Sequence, residues 1–271
     1  MTSAKSLLAK RKKIGLALGG GAARGLAHIG VLQVFKERGV PIDCIAGCSM
    51  GAVVGGIYCS GQNINRIKEI ALNINEMSFM DLGRIRKGVL RGKKAEQLID
   101  SLCVRKDFSK CVIPFCATAT DLVTSSTVAL TQGRISRAIR ASISIPGVFE
   151  PVEWGEMMLV DGGVTDRVPV DLCRSVLGAQ YVIAVDVAFR GWRREKPTNI
   201  IQTIYQAFET SDWCNVQNAL PQSDIVIAPN VGPYDEKNLR DAKQCIEAGR
   251  EAAEAAIERI KNDLELWDIV K

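Results

Sequence analysis

Gly47-Cys48-Ser49-Met50-Gly51 lies between an apolar segment, Ile42 to Ala46, and a run of small apolar residues, Ala52 to Ile57. The pentapeptide fits the pattern G-x-S-x-G. The apolar lead-in reads as a buried strand and the small-residue run as a helix. A serine in that setting sits on a tight strand-to-helix turn, where the flanking glycines relieve crowding. Its hydroxyl then stands at a helix N-terminus, whose partial positive charge favours an anion. The same five residues also read as a glycine turn with an incidental serine, so the flanking sequence has to decide.

Upstream, Lys13 to Leu18 reads as a first strand. It runs into Gly19-Gly20-Gly21-Ala22-Ala23-Arg24-Gly25, and Leu26 to Arg38 reads as a helix. Such a loop points successive backbone N–H groups into one concavity, which receives a negative oxygen. In acyl transfer that oxygen belongs to the tetrahedral intermediate, and each lost donor costs about 3–4 kcal/mol. Arg24 can steady the loop, meet an anionic substrate group or form a structural ion pair. A dinucleotide-binding loop also opens on strand, glycines and helix. The G-G-G-A-A-R-G spacing departs from G-x-G-x-x-G, however. Asp43, at the right separation for a ribose-binding acid, precedes its strand instead of ending it.

A Ser-His-Asp triad needs a histidine. The chain has one, His28, inside the apolar helical stretch Leu26 to Leu32, where it reads as a packed residue with a local hydrogen bond. A carboxylate can serve instead if burial lifts its pKa toward the working pH. Asp161 ends the apolar run Met157 to Val160 and precedes Gly162 and Gly163. An acid at the end of a strand can reach the sheet edge where open α/β folds carry their sites. An Asp-Gly hairpin turn is the plainer alternative.

Taken together, these three pieces resemble the patatin-like phospholipases, in their short bacterial form. Gly19 to Gly25 with Arg24 resembles the family's oxyanion loop, Gly47 to Gly51 its nucleophile elbow and Asp161-Gly162-Gly163 its D-G-[GA] motif. Ala141-Ser142-Ile143-Ser144-Ile145-Pro146-Gly147-Val148-Phe149 resembles a stretch that precedes that motif. The resemblance spans about residues 12 to 188. It implies a three-layer α/β/α fold with a mainly parallel sheet, and a Ser49–Asp161 dyad acting through an acyl-enzyme. The oxyanion donors it implies are the N–H groups of Gly20, Gly21, Ala22 and Met50. It calls for no metal or organic cofactor, and for a lipid or other acyl-ester substrate. Many members carry a further glycine where this chain has Ala22, and alanine narrows the allowed backbone there.

The rest of the sequence bounds these readings. No apolar run in the 271 residues approaches the length of a membrane span. Met1 to Lys13 is basic without a long apolar segment, so the expectation is a cytoplasmic protein, at most peripheral at the inner membrane surface. The nine cysteines contain no C-x-x-C pair and mostly lie in apolar stretches, which reads as buried free thiols. A net charge of +5 comes with no nucleic-acid-binding motif. Arg84, Arg86, Lys87, Arg91, Lys93 and Lys94 follow Met77, Phe79, Met80 and Leu82, while Arg190, Arg193, Arg194 and Lys196 surround Trp192. Each cluster reads either as a solvated loop or as a contact with an anionic membrane. Residues 72–95 are the expected mobile flap, and a homodimer is the expected assembly. A lipid-binding regulatory protein with little turnover is the rival function.

Further strands are expected at Val112 to Thr120, Ser126 to Leu130, Tyr181 to Val187 and Asp224 to Ala228. Helices are expected at Ile135 to Ser144, Val170 to Leu177 and Glu236 to Leu264, the last with a break near Gly249. Strands alternating with helices signal a parallel sheet covered on both faces. Residues 12–188 form the expected catalytic core, and 189–271 a helical part packed on the same domain.

Overall fold

The computed structural model describes residues 11–74, 81, 90–187, 196–234 and 239–265. Its centre is a mixed eight-stranded sheet: β1 (Ile14–Leu18), β2 (Cys44–Cys48), β3 (Phe115–Asp121), β4 (Ser126–Leu130), β5 (Val152–Trp154), β6 (Met157–Asp161), β7 (Tyr181–Val185) and β8 (Ile225–Ile227). The order is β5-β6-β3-β2-β1-β7-β8, with β4 paired to β3. The run from β3 through β8 is parallel, and β4, β5 and β6 join antiparallel.

The strands alternate large and small side chains with a period of two. Ile14, Leu16, Leu18, Ile45, Ile183 and Val185 enter one core with α1 (Ala27–Arg38), α2 (Met50–Cys59) and α8 (Ala242–Asp263). Ala17, Cys44, Ala46, Val182 and Ala184 enter a second core with α6 (Val170–Ser175) and Val216 of α7 (Ile200–Ala219). These are the two outer layers of the expected sandwich. Among the described residues the helices α3 (Ile64–Asn73), α4 (Lys93–Leu102) and α5 (Ile135–Ser142) complete the set.

Several details depart from the sequence expectations. The second half of the expected glycine loop is wound into a 3-10 turn, Ala22–Leu26, and the expected Leu26 to Arg38 helix begins one residue later, as α1. α8 runs unbroken through Gly249. That glycine instead lets two backbones touch: a Cβ there would lie 2.0 Å from the Ala27 carbonyl oxygen, and one at Gly30 would lie 2.0 Å from that of Ile246. α3, α4, α7 and β5 have no counterpart in the sequence reading. β8 extends the central sheet from within residues 189–271. No helix among the described residues is long and apolar enough to cross a membrane. Of the two basic clusters, residues 82–89 and 188–195 lie outside the described residues, as do 75–80 of the expected flap.

Candidate active site

β2 hands the chain to α2 at Ser49, whose backbone stands at φ 51°, ψ −120°. A non-glycine residue there is strained and persists only where its surroundings hold it. Gly51 meets that need, since a Cβ on it would lie 2.1 Å from the Leu18 carbonyl oxygen. The Ser49 N–H donates to Ser142 Oγ at 2.9 Å.

The register of β3 explains how Asp161 reaches this point. Cys48, the last residue of β2, pairs with Thr118, and Asp161, the last residue of β6, pairs with Ala119. One step along a strand is about 3.3 Å, so the acid is set beside the elbow although the two are far apart in sequence. The Asp161 N–H donates to the Ser144 carbonyl at 3.0 Å. Ser142 and Ser144 therefore fix both members of the pair, which gives the Ala141 to Phe149 stretch a physical role. Asp161 Oδ1 accepts from the Gly163 N–H at 2.9 Å and, weakly, from the Cys48 thiol at 3.8 Å. Oδ2 is buried without a full hydrogen bond. Burial pushes the Asp161 pKa from its usual 3.8 up to about 6, against the Gly163 amide and the nearby Ser49 hydroxyl, which both pull it down. Burial also holds the Cys48 thiol well above its ordinary pKa, so it stays protonated.

The glycine loop is anchored at its start. Gly19 N–H donates to Val185 O and Gly20 N–H to Arg167 O, both at 3.0 Å. The second bond corrects the expectation for Gly20: its amide is engaged with the backbone that follows the D-G-G turn. Gly21 caps, and Ala22 begins, the 3-10 turn, so their amides belong to the donors that a helix start leaves without internal partners. Met50 begins α2 and its amide has the same status. Ala22 takes φ 46°, a left-handed conformation that a glycine would adopt more easily.

Three side chains hold the loop from behind. His28 is fully buried with Nε2 2.7 Å from the Gly19 carbonyl. A carbonyl only accepts, so Nε2 carries the proton, and burial pushes the pKa down to about 4, which keeps the ring neutral. Arg24 donates to the carbonyls of Tyr234 at 2.9 Å and Gly232 at 3.4 Å, which ties the loop to the segment before α8. Arg167 donates from Nε to the Gly20 carbonyl at 2.8 Å and from Nη1 to Asp212 Oδ2 at 2.5 Å. Glu209 lies 4.0 Å away. No local motif marks Arg167, Glu209 or Asp212 in the sequence; they meet only because α7 packs across the loop.

Two cavities meet at Ser49. The larger, about 680 Å³, is lined by aliphatic groups such as Ile29, Val53, Ile70, Leu98, Ile99 and Val148. The smaller, about 20 Å³, is bounded by Gly20 to Ala22, Asp161, Arg167, Glu209 and Asp212. Among the described residues no group of three His, Cys, Asp or Glu side chains is placed to hold a metal ion.

The chain is similar in sequence and in fold to known proteins. Residues 16–174 match the family model described as patatin-like phospholipase. An NTE family protein of Mycobacterium tuberculosis is 36% identical over 208 residues, 75% of this chain and 55% of that protein. Lysophospholipase NTE1 of Debaryomyces hansenii is 34% identical over 183 residues, 65% of this chain and 12% of that protein. The chain thus spans about half of the first relative and a small part of the second. VipD of Legionella pneumophila shares the fold with a TM-score of 0.67 at 12% identity, over 92% of this chain and 67% of that one.

Proposed function

The chain belongs to the patatin-like phospholipase family, and from that premise we propose that it is a serine-dependent lipid acyl hydrolase, a phospholipase A or lysophospholipase. The observation that carries the reading is the placement of Ser49. It stands on a strained elbow, beside a buried carboxyl with a pKa of about 6, at the end of an aliphatic pocket of about 680 Å³. That volume lies in the range of sites that enclose most of a small ligand. An acyl chain in the pocket brings its ester carbonyl to Ser49.

In the proposed reaction Asp161 takes the Ser49 proton as Oγ attacks the acyl carbonyl carbon. Negative charge develops on the carbonyl oxygen, which the amides of Gly21, Ala22 and Met50 stabilise. The intermediate collapses, the C–O bond to the leaving alcohol breaks, and that alcohol takes the proton from Asp161. Water then cleaves the acyl-enzyme through the same dyad, releasing a fatty acid. A carboxyl with a pKa near 6 is suited to both directions of this proton transfer, because it is neither strongly acidic nor strongly basic near neutral pH. His28 takes no proton in this scheme; it holds the Gly19 carbonyl and so the loop.

Contact with an anionic membrane surface extends the reading. Lys196 lines the pocket, and Ile200 and Ile204 on α7 are 75% and 51% exposed a few residues away. Basic and apolar groups together suit an interface of anionic lipid.

The test is incubation with a mixed lipid extract and mass spectrometry of released fatty acids, with Ser49→Ala as control. Fatty acid release that depends on Ser49 is the expected result. Specific lipid binding with no acid released from any lipid would favour a regulatory protein instead, and equal release by both proteins would remove Ser49 from the mechanism.

A further inference from the structure

The small cavity beside Ser49 is bordered by one carboxyl of the dyad and by a second, Asp212, that the dyad leaves unused. Two buried carboxylate oxygens border it without a hydrogen-bond partner, Asp161 Oδ2 and Asp212 Oδ1. Both side chains are nearly inaccessible, at 3% and 1% exposure. Their opposite oxygens are committed: Asp161 Oδ1 to the Gly163 amide, and Asp212 Oδ2 to Arg167. The orientation of each carboxyl is therefore fixed, and each turns one free acceptor to its surroundings. Both residues line the same cavity, and burial, with a smaller contribution from the charge of Asp161, raises the Asp212 pKa to about 6 against the pull of Arg167. Unpaired acceptors of this kind are costly in a protein interior. A space of about 20 Å³ holds about one water molecule, provided that it offers two or more polar partners. A water has two hydrogens to donate, one for each of these oxygens.

We propose that this cavity is the site of the hydrolytic water, held between Asp161 Oδ2 and Asp212 Oδ1, with Asp212 as the residue that orients it. The inference rests on the acyl-enzyme reading above. The acyl chain occupies the aliphatic pocket on one side of Ser49, and the water approaches from the other. Its oxygen attacks the acyl carbonyl carbon while one hydrogen passes to Asp161. The hydrogen donated to Asp212 stays on the water oxygen and becomes part of the carboxylic acid product. The tetrahedral intermediate then expels Ser49 Oγ, which takes the proton back from Asp161. No charge or atom is left over, and Asp212 ends as it began. Arg167 keeps Asp212 in place, and its Nε bond to Gly20 ties the water site to the oxyanion loop.

Asp212→Asn tests this almost isosterically. The new side-chain carbonyl can accept from Arg167 as before, which turns the amide N–H₂ toward the cavity and replaces an acceptor by a donor. Formation and breakdown of the acyl-enzyme use the same oxyanion donors, so a scaffolding role for Asp212 would slow both. A water-orienting role slows only breakdown. With a nitrophenyl acyl ester in stopped flow, the variant is expected to release its first equivalent of nitrophenol at the wild-type rate. Breakdown should then slow by about tenfold to a hundredfold. Intact-protein mass spectrometry should find the acyl mass accumulating on the variant. Equal loss in both phases, or no change in either, would overturn the water site and leave the hydrolase reading standing. A wild-type protein that neither turns over ester nor gains acyl mass would overturn that reading itself. A crystal structure of the wild-type protein that orders solvent needs no variant. A water within hydrogen-bonding distance of both oxygens is expected, and a cavity with neither oxygen so partnered overturns the proposal.

Discussion

The substitution Asp161→Asn should abolish turnover and at the same time make the protein harder to unfold, and the second effect has a calculable pH dependence. The Asp161 carboxyl ionises near its usual 3.8 in an unfolded chain but near about 6 when buried in the fold. Each unit corresponds to 1.36 kcal/mol, so holding the ionised form in the folded site costs about 3 kcal/mol. The sign follows from proton binding. Below about pH 4 the carboxyl is protonated in both states and costs nothing. Between about pH 4 and 6 the unfolded chain releases its proton first, so stability falls as the pH rises. Above about pH 6 the full penalty is present. The amide of the variant never ionises, and its side-chain oxygen can still accept from the Gly163 amide. The stability gap between variant and wild type should therefore widen by about 3 kcal/mol from pH 4 to pH 8. In a chain of this size that amounts to about 6 °C in Tm. Urea titrations of both proteins across that pH range measure it directly. A gap that stays constant from pH 4 to pH 8 would refute the argument, because the carboxyl would then not be forced to ionise in a site that resists it.

Three further outcomes are expected. In the pH profile of kcat/KM, activity should rise with pH and reach half its plateau near the Asp161 value of about 6, since only the ionised carboxylate can accept the Ser49 proton. A profile flat between pH 5 and pH 8 would exclude it as the base. Ser142→Ala removes the acceptor for the Ser49 N–H, so kcat should fall about tenfold or more while KM, set by a pocket that Ser142 does not line, stays near wild type; an unchanged kcat would mean that the elbow holds its strained geometry unaided. Gly249→Ala drives a methyl group to within 2.0 Å of the Ala27 carbonyl oxygen and should destabilise by about 3 kcal/mol or more, read as a lower Tm, whereas a Tm equal to wild type would contradict the backbone contact between α1 and α8.

What was legible in the sequence was local. The elbow, the glycine loop and the D-G-G turn are each a few consecutive residues whose backbone demands can be read from their types. The apolar runs along β1 and β7 mark them as buried strands, whereas the packing of small residues such as Ala17 and Ala184 beside a short helix appears only in the fold. Helix α7 was not legible, for a physical reason. Its buried residues include Glu209, Asp212 and Val216, while Ile200 and Ile204 are exposed. The apolar stripe that identifies an amphipathic helix is therefore broken by an ion pair turned inward and isoleucines turned outward. Both inversions occur where the helix meets the site, the first under the glycine loop and the second near the rim of the pocket. The role of Gly20 failed for a related reason. A loop of glycines advertises many free amides, but which of them remain free depends on the segment that crosses it, and here Arg167 O takes one.

The meeting of Ser49 and Asp161 is a different kind of fact. Either residue can be singled out alone, but their proximity depends on how β3 divides its edge. Phe115 to Thr118 pair in parallel with β2, and Ala119 to Asp121 pair antiparallel with β6. β2 must end where β6 ends, running in opposite senses, for the two termini to face each other. A slip of β6 by one residue would carry Asp161 to the opposite face of the sheet, because side chains alternate along a strand. Two contacts guard against that slip: the Asp161 N–H on the Ser144 carbonyl, and the Asp121 carboxylate on the Met158 N–H at 3.0 Å. Asp121 is thus a register residue, paired with Leu159 two positions before Asp161. A residue outside the three motifs therefore helps to hold Asp161 in register with the end of β2.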